Sequence, residues 1–103
     1  MRLYLVKEEE RLVWVAALAH EVMYSYVANT GKFHNNNALR NDFYMVRNLD
    51  YEPIGPAEAR RLIDQGVGML DETRSATSLA KWRADPNPLA LPDVLAMAAG
   101  SNE

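Results

Sequence analysis

The stretch Glu8-Glu9-Glu10-Arg11-Leu12-Val13-Trp14-Val15-Ala16-Ala17-Leu18-Ala19-His20-Glu21-Val22-Met23-Tyr24-Ser25-Tyr26-Val27 decides the fold. Within it Leu12, Val15, Ala16, Ala19, Val22, Met23, Tyr26 and Val27 recur at three- and four-residue steps, the spacing of one helix face. Read so, the acidic run complements the dipole of a first helical turn, and Gly31 after Asn29-Thr30 supplies the stop. Val13, Trp14, Ala17, Leu18 and Tyr24 fall outside that stripe, so the helix is apolar on a second face. A surface helix of a small domain needs only one apolar stripe. The second face is therefore expected either to serve as the spine of a bundle or to meet another copy of the chain, with Trp14 and Leu18 as the self-association contacts.

Outward from this segment the pattern continues as helices. Leu3-Tyr4-Leu5-Val6 suits a pleated surface but is equally a lead-in to the helix behind it, and a strand there would move the fold to α+β. A second helix starts in Asn35-Asn36-Asn37, because asparagine caps free N–H groups well, and turns Leu39, Phe43 and Val46 inward. Tyr51 to Pro56 breaks it, and Pro56 opens a third helix that buries Ala59, Leu62 and Ile63 and ends at Gly66. Ser75 is placed to cap a fourth helix containing Leu79 and Trp82, which Asp85-Pro86 stops. Pro92 opens a last short one. The expected fold is an all-α, compact helical bundle of four to five helices around a long first helix, one domain over residues 1–100 with a mobile C-terminal tail at 101–103.

Composition bounds the function. The chain has 103 residues, 49% hydrophobic and 24% charged, which suits one self-folding domain. Its net charge of -3 argues against gripping a phosphate backbone. Arg60, Arg61, Arg74, Lys81 and Arg83 do allow a helical DNA-binding reading, but Glu58, Asp64, Asp71, Glu72 and Asp85 interleave with them, so nucleic acid is not an expected partner. The absence of cysteine removes disulfides and thiolate chemistry. The apolar run after Met1 is too short for a secretory signal and the one at 12–19 too short to span a bilayer, which leaves the cytoplasm as the expected location.

No complete catalytic set is present. His20 has no strong metal ligand three or four residues away, and neither a nucleophile elbow nor a phosphate loop occurs. No metal and no cofactor are expected. The richest polar segment runs from Lys32 to Arg47. It places Lys32, His34, Asn36, Arg40, Tyr44 and Arg47 around the proposed helix start, as contacts for a partner or for a small anion with His34 moving a proton. Read as a loop residue, His34 is replaceable by alanine at little cost in stability. These observations lead to a small regulatory or adaptor protein acting by protein–protein interaction as a homodimer. The alternatives are an enzyme or ligand-binding domain using Lys32, His34 and Arg40 on an anionic small molecule, and a DNA-binding regulator.

Overall fold

The computed structural model describes residues 1–100; the tail expected at 101–103 lies outside the described residues. It overturns the all-α expectation. The chain builds a six-stranded antiparallel sheet with four short helices, an α+β fold. Strands β1 (Arg2–Glu8), β2 (Arg11–Ala19), β3 (Val22–Val27) and β4 (Lys32–Asn35) form a consecutive meander. Helix α1 (Asn37–Asn41) runs into a π-helix (Asp42–Val46), and β5 (Asp50–Ile54) then returns to pair with β1. Helices α2 (Pro56–Asp64) and α3 (Ala76–Arg83) follow, then a two-residue β6 (Leu89–Ala90) beside β4, and α4 (Leu91–Ala99). The strand order is β5-β1-β2-β3-β4-β6.

The expected first helix is two hairpins. Its acidic start is the turn between β1 and β2, where Glu8 pairs with Arg11 and Glu9 takes φ 57°. Its middle is a two-residue turn between β2 and β3, with Ala19 opposite Val22 and His20 and Glu21 at φ 50° and 66°. Both central residues of such a turn need positive φ, for which Asn-Gly is the usual pair. His-Glu adopts it here without that signature.

Helical spacing was mimicked because the central strands are covered on both sides. Leu3, Leu5, Val15, Ala17, Tyr26 and Phe33 form one core under α2 and α4, with Ala59, Leu62, Ile63 and Val94. Tyr4, Val6, Ala16, Leu18 and Met23 point to the opposite face, where Leu39 of α1 and Phe43 of the π-helix cover them. A strand buried on both faces reads as a nearly continuous apolar run, with no alternation to reveal it. Leu18, expected at a self-association face, is thus buried within the chain's own sheet.

One close approach fixes the chain behind α2. Gly68 has φ +97°, its carbonyl accepts from the Ala28 N–H at 3.1 Å, and a Cβ there would lie 2.3 Å from the Tyr26 carbonyl oxygen. Only glycine fits both the conformation and the space.

Candidate functional site

The residues of the Lys32–Arg47 segment separate into three environments. Lys32 and His34 lie on β4, Asn36 links strand to helix, and Arg40, Tyr44 and Arg47 belong to α1 and the π-helix or its end. Because side chains alternate along a strand, Lys32 and His34 share one face and Phe33 takes the other, in the first core. Lys32 is exposed on β4 between β3 and β6, whereas His34 is only 2% exposed.

His34 is the hub of a buried relay rather than a loop residue. Its Nδ1 donates to Asp85 Oδ2 at 2.8 Å, and its Nε2 meets the Thr30 hydroxyl at 2.7 Å. Asp85 accepts the Asn87 backbone N–H as well, and that bond together with His34 holds its carboxyl below the usual aspartate range. The Thr30 hydroxyl suits either imidazole state. It donates to Nε2 of neutral imidazole; when the ring is charged it accepts from Nε2 and turns its own proton to the Val27 carbonyl, 3.1 Å away. The order Thr30–His34–Asp85 resembles a hydrolytic triad in outline. Its ring is sealed, however, with Trp82 stacked over it at 6.1 Å and 26°. No reacting atom reaches Nε2, and the relay ties the segment after α3 to the β3–β4 hairpin.

Asn36 is the N-cap of α1. Its side-chain oxygen accepts from the Leu39 N–H at 3.0 Å, and its amide nitrogen donates to the fully buried Ser25 hydroxyl at 3.1 Å. The asparagine cluster therefore starts a helix and satisfies a core hydroxyl with one side chain.

Arg40 and Tyr44 meet where α1 runs into the π-helix, whereas Arg47 lies beyond it, towards the β1–β2 turn. The Arg40 guanidinium lies 5.2 Å from the Tyr44 ring, and that of Arg47 lies 5.0 Å from Phe43 and 5.8 Å from Tyr51. Neither arginine has a carboxylate partner within the described residues; Arg40 donates to the Glu21 carbonyl. Asp42 secures this end, accepting from the backbone N–H groups of Asn48 and Leu49 and from the Tyr51 hydroxyl at 2.7 Å. Burial first, and then that bond, push the Tyr51 phenol well above its ordinary range. The π-helix closes on Arg47, a non-glycine residue at φ 60°, and leaves Tyr44, Met45 and Val46 side by side and exposed, Met45 by 77%. Single π-helical turns often mark functional positions.

Two features escaped the sequence reading. Trp14 meets Trp82 edge to face, 5.9 Å apart, and a groove runs beside them between the start of α1 and α3. The other is Asp85, treated in the sequence as one of several surface acids. Of the second-half cations, Arg60, Arg61 and Arg83 pair with Asp64, Glu58 and Glu72, which leaves Arg74 and Lys81 without an ion-pair partner among the described residues. Among the described residues no three His, Asp or Glu side chains gather in a metal-binding group, and no helix is long and apolar enough to cross a membrane. Comparison of the chain with protein-family models, curated proteins and solved structures gave no match.

Proposed function

We propose that the protein is a small regulatory or adaptor protein that works by protein–protein contact, and that its α1–π-helix end binds a second copy of the chain. The observation that carries this reading is the exposed run Tyr44-Met45-Val46 between two arginines that lack carboxylate partners. Tyr, Met and Arg are the residue types enriched at interfaces. The surface beside Arg47 has the complementary charge: Glu9 lines the same shallow depression and has no ion-pair partner within the described residues. A patch with an unpaired cation and an unpaired acid side by side is self-complementary about a two-fold axis, which sets Arg47 of each protomer against Glu9 of the other. The earlier motive for a dimer, a helix with two apolar faces, is replaced by this one.

Charge exchange tests the reading. Arg47→Glu alone and Glu9→Lys alone should each sediment as monomers at concentrations where the native chain is dimeric, since like charges then face across the axis. Mixing the two variants should restore a heterodimer, because both cross-axis pairs become attractive again. A native chain that stays monomeric at high micromolar concentration, or variants that dimerise as well as the native chain, would remove the proposal.

A shared anion site of Lys32, His34 and Arg40 finds less support: His34 is buried in the relay, Arg40 reaches the Glu21 carbonyl, and Lys32 is exposed on β4 between β3 and β6.

A further inference from the structure

From the groove beside the two tryptophans we infer a binding site for a hydroxylated ring carrying one anionic group, the chemistry shared by sugar phosphates and uronic acids. Two adjoining clefts of about 470 and 260 Å³ flank α3 and share Asn35, Asn37, Lys81 and Trp82. Together they fall in the size range of small-molecule sites, about 300–1,000 Å³.

The chemistry of the walls selects the ligand. Asn35, Asn37, Ser78 and Lys81 make no side-chain hydrogen bond or ion pair within the described residues, so their polar groups are available. Among the described residues the indole N–H groups of Trp14 and Trp82 have no protein acceptor, and both reach solvent. The carboxylates nearby are already engaged: Asp42 by Asn48, Leu49 and Tyr51, and Asp85 by His34 and Asn87. What remains open is one cation, two indole donors, one hydroxyl and two amides. Lys81 matches a single anionic group. The amides, each offering donor and acceptor, match neighbouring hydroxyls, and the indole surfaces match the apolar C–H face of a sugar ring.

A nucleobase fits less well. It would need a parallel aromatic slot, but Trp82 already has one face on His34 and Trp14 meets it at 86°. One wall of the groove is preset, because Trp82 is held by the His34 ring, which Thr30 and Asp85 hold from either side. The relay is thereby the positioning support of the groove, and the inference is independent of the dimer surface.

The chain's two tryptophans both line the groove, so their fluorescence reports it directly. The intact chain and its Lys81→Ala variant are titrated with glucose 6-phosphate, glucuronate and neutral glucose. Lys81 is exposed on α3, so the variant should keep the native unfolding midpoint. Saturable binding of at least one anion is expected, with a roughly tenfold or larger loss in Lys81→Ala and for glucose, the loss of one charged hydrogen bond. Preference for phosphate or for carboxylate assigns the source of the anion and supports the site either way. Absence of saturable binding by both anions, equal affinity for glucose, or an unchanged affinity in Lys81→Ala would overturn the inference.

Discussion

Replacing His34 with alanine should destabilise the protein by about 3 kcal/mol. A hydrogen bond to a charged group contributes roughly 1.5–3 kcal/mol. The Asp85 side chain is 22% exposed and rehydrates when the imidazole is gone, which holds that contribution to the lower end. Loss of the Thr30 contact costs about 0.5 kcal/mol, because the hydroxyl keeps the Val27 carbonyl as acceptor. The void left under Trp82 adds about 1 kcal/mol. For a domain of this size the melting midpoint should fall by roughly 12–24 °C. Urea unfolding followed by tryptophan fluorescence should show a lower midpoint at unchanged slope. His34→Asn keeps a donor close to the position of Nδ1 and should recover about 1 kcal/mol. A loss below about 1 kcal/mol in His34→Ala would refute the reasoning, since the relay would then not be what holds the segment after α3 in place.

Asn36→Ala removes the cap of α1 and leaves the Ser25 hydroxyl without that donor, for an expected loss of about 1–2 kcal/mol by chemical denaturation; a neutral effect would contradict the dual role. Gly68→Ala forces a Cβ against a backbone oxygen at an unfavourable φ and should cost more than about 2 kcal/mol, measured by the same method. Acid should weaken the fold through Asp85 and Glu72. Glu72 is lowered to about 2 by bonds from Arg83 and Asn29, and Asp85 is lowered by Asn87 and His34. Both folded-state values lie below the unfolded ones, so their stabilisation is full above the ordinary carboxylate range and is lost as pH falls through the folded values. Urea midpoints should drop between about pH 5 and pH 2, and less steeply in Glu72→Gln. The opposite trend would reverse the assignment. Converting His20-Glu21 to Asn-Gly should stabilise by about 1 kcal/mol or more, since two positive-φ positions would be relieved; a loss would mean that the native pair holds contacts beyond its turn.

What the sequence conveyed depended on whether local chemistry matched tertiary role. Helices α2 and α4 were readable because Pro56 and Pro92 stand at their starts and glycines at or just after their ends. The meander was not, because burial on both faces erased the alternation of β2 and the His20-Glu21 turn lacks asparagine and glycine. Helical spacing then appeared by coincidence of apolar density. At the site, the four-residue step from Arg40 to Tyr44 matches their stacking, but the π-helical turn that follows left no local signal: Arg47 takes φ 60° and stacks on Phe43, and Val46, expected inward, is exposed. The His34–Asp85 bond spans 51 residues and the Trp14–Trp82 contact spans still more of the chain, so no local pattern carried either.

The strand order has a consequence for how the chain reaches this state. Strands β1 to β4 join through short local turns, whereas β5 must close on β1 and β6 on β4 over distant stretches of sequence. Loop-closure entropy favours early formation of the meander and late arrival of both flanks. Until β5 docks, the apolar segment Leu3-Tyr4-Leu5-Val6 presents an open strand edge of the type that recruits other chains. Native β5 closes that edge with Asp50, Glu52 and Pro53, two charges and a residue that cannot donate to a further strand. The interval between meander and flank is therefore when this chain is most prone to aggregate, and slowing β5 docking should reduce refolding yield at high protein concentration more than it reduces equilibrium stability.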